Sequence, residues 1–152
     1  MEPVATVRGV EFINDSKATN VNSTWYALET MVKPVILILG GVDKGNDYAA
    51  MIELVKEKVK AIVCMGTENR KIHEAFGSFV SLIVNTENAK DAVQSAYHFA
   101  EKGDVVLLSP ACASFGLFKN YLWRNRCFLG RFLQRYCYWW RNRCFLDTFL
   151  QR

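Results

Sequence analysis

Apolar runs and stretches of helical periodicity alternate along most of the chain. Four runs show little polar alternation: VILIL at 35–39, AIVCM at 61–65, FVSLIV at 79–84 and VVLL at 105–108. Such runs are typical of parallel strands that are covered on both faces of a sheet. The pattern VEFI at 10–13 predicts an additional, earlier strand.

Two segments between these runs carry apolar residues at helical spacing, which predicts crossover helices with core-facing stripes. The first stripe is Met51, Leu54, Val55 and Val59, and the second is Ala89, Ala92, Val93, Ala96, Tyr97 and Ala100. Asp47 and Ser23 are predicted to cap helices, because their side-chain oxygens can accept hydrogen bonds from free backbone N–H groups. Strands that alternate with such helices predict an α/β fold with a mostly parallel sheet.

Polar loops follow three of the predicted strands: NDSKATN at 14–20, GGVDKG at 40–45 and SPACAS at 109–114. In open α/β sheets, the loops at the carboxyl ends of the strands line the ligand crevice. The loops offer two cations and three hydroxyls, namely Lys17, Lys44, Thr19, Ser109 and Ser114. Cations suit phosphate or carboxylate groups and hydroxyls fix orientation, so the loops together predict a site for a small anionic substrate.

Each loop taken alone also has a plainer interpretation. Gly40 and Gly41 could serve only a tight turn, and SPACAS could serve only to cap a helix. The chain contains no phosphate-binding G-x-x-x-x-G-K-[ST] loop and no G-x-G-x-x-G after a strand. His73 and His98 fall in helical segments away from the loops, and Cys127, Cys137 and Cys144 lack the paired spacing of a zinc site. No metal site is predicted.

Composition indicates one domain, because 152 residues with 51% hydrophobic and 22% charged side chains can build a substantial core. Seven arginines but only one acidic residue, Asp147, lie beyond Tyr121, so the rest of the chain is slightly acidic despite the net charge of +4. A nucleic-acid partner is therefore not expected. No membrane span and no signal peptide are predicted, and a cytoplasmic location with reduced cysteines is expected.

The three loop motifs resemble one known family when they are read at full length. FINDSKATN, LGGVDKG and LLSPACASF followed by FKNY are similar to the C-terminal domain of the Mur ligases, in particular the members that add D-glutamate. The resemblance covers residues 3–121 and implies a Rossmann-like domain over 1–121. These ligases use ATP and Mg²⁺ to convert a carboxylate into an acyl phosphate, which the amine of an amino acid then attacks. The implied reaction joins D-glutamate to UDP-N-acetylmuramoyl-L-alanine in peptidoglycan synthesis.

The resemblance also implies roles for individual residues. Asp15 and Lys17 would face the nucleotide, with Lys17 as the catalytic residue. Thr19, Lys44 and Ser114 would hold the two carboxylates of D-glutamate, and the backbone around Tyr121 would close that pocket. Most ligands of ATP and Mg²⁺ would lie on two further domains that the family places before this one. The chain is therefore expected to be a detached domain, with Met1 as an internal methionine, that does not catalyse ligation alone.

The tail at 122–152 departs from the family. YLWRNRCFLGRFLQR at 121–135 is nearly repeated as YWWRNRCFLDTFLQR at 138–152. The first copy is expected to form the final helix of the domain, whereas the second copy has no counterpart. An alternative function is a non-enzymatic interaction module, or a truncated gene fragment, whose aromatic and arginine-rich tail binds a partner, an anionic surface or another copy of itself.

Overall fold

A computed structural model describes residues 1–43 and 45–113 of the chain. The predictions for Lys44, Ser114, Tyr121, the three tail cysteines and the duplicated tail at 122–152 lie outside the described residues.

Within the described residues, the elements follow one another as strands and crossover helices. They are β1 (Glu2–Val7), β2 (Val10–Asn14), α1 (Val21–Glu29), β3 (Val35–Leu39), a 3₁₀ turn (Ala49–Met51), α2 (Ile52–Lys58), β4 (Val59–Met65), α3 (Arg70–Phe76), β5 (Ile83–Thr86), α4 (Ala89–Phe99) and β6 (Val105–Leu108). The strands form one sheet in the order β1-β2-β6-β3-β4-β5. Only β1 runs antiparallel to its neighbour, so the predicted α/β fold with a mostly parallel sheet is confirmed.

The sheet separates two hydrophobic layers. Val35, Leu37 and Leu39 pack in the layer that includes residues of α1, α2 and α3, whereas Ile36 and Ile38 pack in the layer that includes α4. All five residues of β3 are buried, which explains why the sequence of that strand shows no polar alternation. No helix in the described ranges is long and apolar enough to cross a membrane.

Several local predictions need correction. Val59 is the first residue of β4 and not the last position of a helical stripe, because α2 ends at Lys58. The strand predicted at 79–84 begins only at Ile83, since the backbone N–H groups of Phe79 and Val80 still donate to Phe76 O. Ser23 does not cap α1: Asn20 does, and its Oδ1 accepts from Ser23 N at 2.9 Å.

The remaining differences concern short or exposed elements. Asp47 Oδ1 accepts from Ala49 N at 2.9 Å, as a capping residue does, but it precedes the 3₁₀ turn instead of α2 itself. The sequence did not predict β1, in which no residue is buried. It placed His73 in a helical segment but gave no bounds for α3, in which only Ile72 and Phe76 are buried. Neither element has enough apolar positions to produce a clear pattern.

Candidate functional site

The three polar loops meet at one edge of the sheet because β2, β6 and β3 are neighbours in it. The first loop is joined to the end of β6 by a hydrogen bond from Asp15 N to Leu108 O at 2.7 Å. The second loop is joined to the third by Gly40 N to Pro110 O at 2.9 Å and Val42 N to Ala113 O at 3.1 Å. The predicted convergence of the loops is therefore confirmed for their described residues.

The loop after β2 folds into a turn that exposes two of its side chains. Asn14 Oδ1 accepts from Ser16 N at 3.1 Å, and Ala18 N donates to Asp15 O at 2.9 Å. Ala18 is buried and anchors the turn, whereas the flanking Lys17 and Thr19 are exposed. In the described part of the chain, neither of these two side chains has a hydrogen-bond partner, so both are available to a ligand.

Asp15 is the first residue of the same loop after β2, and a buried hydroxyl fixes its side chain. Ser109 Oγ lies 3.0 Å from Asp15 Oδ2 and 3.0 Å from Thr24 Oγ1. Because a carboxylate can only accept, Ser109 donates to Asp15. Ser109 and Thr24 are fully buried, so the expectation that Ser109 offers its hydroxyl to a ligand is wrong. Its hydroxyl instead orients a carboxylate that the resemblance places toward a nucleotide.

A cavity of about 290 Å³ opens beside Asp15 and Lys17. Its wall is completed by Met1, Ala18 and the side of α1 that carries Ser23, Tyr26, Ala27 and Thr30. The amino group of Met1 lies 3.3 Å from Asp15 Oδ1. The two residues predicted to face a nucleotide therefore do border one open space, and the aromatic ring of Tyr26, which is 64% exposed, lies at its edge.

The loop after β3 passes so close to its neighbours that two glycines are required. A Cβ on Gly40 would lie 2.7 Å from Met65 O, and a Cβ on Gly41 would lie 2.7 Å from Ala113 O. Both residues also have φ angles, 118° and 148°, that favour glycine. Both glycines therefore have a structural role, because their close approach brings this loop against the third loop.

Farther along this loop, one carboxylate organises the backbone. Asp43 Oδ1 accepts from Gly45 N at 3.0 Å and from Asn46 N at 2.8 Å, while Asp43 Oδ2 lies 2.8 Å from Lys71 Nζ on α3. Burial alone would raise the pKa of the Asp43 carboxyl, but Lys71 and the two backbone donors outweigh it and lower the pKa below its usual range. Asp43 is therefore an anchored anion at neutral pH.

Asn46 connects this loop to the loop after β6. Its Nδ2 donates to Ala111 O at 3.0 Å and lies 3.2 Å from Cys112 Sγ, and this sulfur also lies 3.5 Å from Tyr48 OH. Burial, together with the Cys112 thiol, raises the pKa of Tyr48 above its usual range, so this phenol stays protonated. Sequence analysis missed the roles of Asn46 and Asp43, although Asp, Gly and Asn within four residues are a recognisable signal for a turn.

The other candidate residues add nothing to this site. His73 Nε2 contacts Asn85 Oδ1 at 2.9 Å, and the His98 ring packs against Phe99, so both contacts lie away from the loops. Over residues 1–43 and 45–113, no group of three or more His, Cys, Asp or Glu side chains is placed to hold a metal ion.

Comparison with known proteins gives curated relatives of high identity. The ligase of Christiangramia forsetii, named UDP-N-acetylmuramoylalanine–D-glutamate ligase, is 57% identical over 128 residues, which are 84% of this chain and 29% of that protein. The protein of the same name from Cytophaga hutchinsonii is 56% identical over 121 residues, which are 80% of this chain and 27% of that protein. The chain thus spans somewhat more than a quarter of the length of these relatives.

Solved structures share the fold at low sequence identity. A domain from Haemophilus ducreyi, assigned to a UDP-N-acetylmuramate:L-alanyl-γ-D-glutamyl-diaminopimelate ligase, has a TM-score of 0.52 at 11% identity and is covered over 96% of its length, with 85% of this chain aligned. The MurF ligase of Thermotoga maritima in complex with ADP has a TM-score of 0.50 at 14% identity, covering 87% of this chain and 31% of that one.

The family match itself is continuous and includes two of the three loops in full. Residues 1–112 match the family described as Mur ligase, glutamate ligase domain. Since that match extends over most of a 152-residue chain, the protein belongs to the Mur ligase family and contains its glutamate ligase domain.

Proposed function

We propose that this chain is the D-glutamate-binding domain of an ATP-dependent ligase that adds D-glutamate to UDP-N-acetylmuramoyl-L-alanine in peptidoglycan synthesis. The observation that carries the proposal is the meeting of three polar loops at the carboxyl edge of the sheet, with Lys17 and Thr19 exposed and without partners among the described residues. The high identity to relatives named as D-glutamate ligases supports the choice of amino acid.

In the proposed pocket, the Thr19 hydroxyl, the Lys44 ammonium and the Ser114 hydroxyl bind the two carboxylates of D-glutamate, and the backbone around Tyr121 closes it. A dicarboxylate requires fixed cations and hydroxyl donors, because these replace the water that it loses on binding. Binding both carboxylates leaves the amine as the free end of the substrate. Holding that amine close to the activated carboxyl carbon contributes through orientation, which can supply a large part of a rate enhancement.

Asp15 and Lys17 fit part of a nucleotide. Each carboxylate oxygen has two lone pairs, so Asp15 can keep its bond from Ser109 and still accept from a ribose hydroxyl. Lys17 is exposed beside the same cavity and suits a phosphate, which is the basis of its proposed catalytic role. ATP would supply the phosphoryl group that activates the substrate carboxylate. For Mg²⁺, the described residues provide no cluster of ligands, so its ligands are proposed to lie on other domains.

The proposed domain extends over 1–121, with the first tail copy as its final helix. Its partners are then the UDP-sugar-binding domain and the ATPase domain that the resemblance implies. The curated relatives are between three and four times as long as their aligned part, which leaves room for both. The chain by itself is expected to form no amide bond, since it has no loop that holds a triphosphate.

The test uses a chimera in which this chain replaces the corresponding part of the Christiangramia forsetii ligase. Loss of one charge-assisted contact is worth about 1.5–3 kcal/mol, so Lys44→Ala should raise the KM for D-glutamate roughly ten- to hundredfold. The KM for ATP should change little. Lys90→Ala, on the exposed side of α4, is the control for loss of a lysine. Equal effects on both substrates, or a parent chimera without D-glutamate ligation, would contradict the proposal.

A further inference from the structure

Two residues near Lys44 have side chains that are anchored to other parts of the fold: Asp43 directly before it and Asn46 two positions after it. On one side, Asp43 contacts Lys71 of α3 and accepts from two backbone N–H groups of its own loop. On the other side, Asn46 donates to Ala111 O of the loop after β6. The two anchors fix the backbone ends between which Lys44 stands in the sequence.

We infer that Asp43, Lys71 and Asn46 are positioning residues that set the affinity of the site for the amino-acid substrate. The inference rests on the proposed function, because it assigns D-glutamate to the pocket that Lys44 serves. None of the three residues is proposed to contact the substrate. They act by fixing the loop before the substrate arrives, so that binding does not have to order it.

The backbone of this loop needs such anchors. It contains Gly40, Gly41 and Gly45, all with positive φ, and a Cβ on Gly45 would meet nothing within 4 Å. Gly45 therefore has no packing contact that restricts it on that side, and glycine loses more conformational freedom on ordering than any other residue. The carboxylate of Asp43 accepts from Gly45 N and so supplies a restraint that packing does not.

The solvent exposure of the Asp43–Lys71 ion pair makes it possible to distinguish a positioning role from a purely structural one. The side chain of Asp43 is 17% exposed and that of Lys71 is 45% exposed. Ion pairs with a solvent-exposed partner contribute little to global stability, and Lys71 is such a partner, so loss of this ion pair should change the free energy of unfolding only slightly. An effect on substrate affinity that exceeds the effect on stability would therefore reveal its role.

Asn46 anchors the same loop to the third loop, the one after β6. The side-chain amide of Asn46 donates a hydrogen bond to the carbonyl oxygen of Ala111. Ala111 is fully buried and has a φ of 56°, a conformation that alanine rarely adopts. The amide thus contacts a backbone segment with a defined and unusual conformation. Residue 114, which the proposed pocket uses, follows this segment by three positions. One side chain therefore couples the loops of two proposed carboxylate-binding residues.

The first experiment measures kinetics in the chimera described above. Asp43→Ala removes both the ion pair and the turn acceptor, whereas Asp43→Asn keeps an oxygen for Gly45 N and Asn46 N. Because Asp43→Ala also removes the charge-assisted hydrogen bonds from Gly45 N and Asn46 N, we expect it to raise the KM for D-glutamate roughly fivefold or more. Asp43→Asn should be intermediate, and the KM for ATP should stay within about twofold. Glu53→Ala is the control for loss of a carboxylate from an ion pair, because Glu53 pairs with Lys56 at 2.9 Å.

The second experiment uses the 152-residue chain itself and does not depend on the proposed function. Amide hydrogen exchange at Gly45 and Asn46 should become faster in Asp43→Ala, while the buried strand residue Leu107 exchanges as before. Faster exchange together with an unchanged KM for D-glutamate would overturn the positioning role. Unchanged exchange would show that the anchor does not hold the loop and would overturn it as well. Failure of the parent chimera to use D-glutamate would instead reject the proposed function.

Discussion

The buried hydroxyl of Ser109 is expected to contribute measurably to the stability of the fold, and Ser109→Ala tests this. The substitution removes the donor that lies 3.0 Å from Asp15 Oδ2 at a position with no solvent exposure. A hydrogen bond to a charged group contributes about 1.5–3 kcal/mol. The carboxylate is 12% exposed and can recover part of this by hydration, which favours the lower half of the range, about 1.5–2 kcal/mol.

The assay is urea denaturation of the full chain, followed by circular dichroism. For a chain of this size, a loss of about 1 kcal/mol in the free energy of unfolding lowers Tm by roughly 2–4 °C. In thermal unfolding, Ser109→Ala should therefore lower Tm by about 3–8 °C. Ser95→Ala, on the partly exposed side of α4, is the control for loss of a serine hydroxyl and should change the free energy of unfolding by less than about 0.5 kcal/mol.

A double-mutant cycle with Asp15→Ala isolates the contact from other effects of the substitution. If Ser109 stabilises the fold through Asp15, the two changes together should cost clearly less than the sum of their separate costs. Strict additivity, or a loss below about 0.5 kcal/mol for Ser109→Ala alone, would refute the claim that Ser109 stabilises the fold through Asp15.

Two further predictions concern the core and the tail. Cys64 is fully buried in β4 and burial raises the pKa of its thiol to about 12, so iodoacetamide at pH 8 should leave it unmodified in the native chain and modify it after unfolding, as peptide mass mapping can measure. Truncation after Arg135 should keep Tm within a few degrees and reduce oligomers in size-exclusion chromatography, because the second tail copy has no counterpart in the family; an unfolded product would identify that copy as part of the core.

The sequence predicted the central strands well because their environment is simple. VILIL and VVLL are buried on both faces and correspond residue by residue to β3 and β6. Prediction was weaker at the ends of the helices and strands. Ser23 and Asn20 are both plausible capping residues by type, and only the extended backbone of Asn20 decides between them. Val59 fits a helical stripe and a strand start equally well, because one residue cannot distinguish the two periods.

For the site, the sequence predicted which loops meet but not what each side chain does there. The alternation of strands and helices predicts a parallel sheet, and the carboxyl ends of its strands place the three loops at the same edge. The role of Ser109 depends on Thr24 and Asp15, which are 85 and 94 residues away in sequence. The role of Asp43 depends on Lys71 of α3, which is 28 residues farther along the chain. Contacts of this kind arise only from tertiary packing.

The position of β6 has a consequence for the order in which the site can form. This strand is the last one in the described chain, yet it lies between β2 and β3, with Val106 opposite both Phe12 and Ile36. A ribosome-bound chain that ends before residue 105 would therefore have two halves of a sheet without the strand that joins them. The pairing of β6 with β2 closes the whole chain segment between these two strands, and such long-range pairing is slow relative to local helix formation. The crevice that the three loops line should consequently be among the last features to appear during synthesis, when the surrounding helices can already be present.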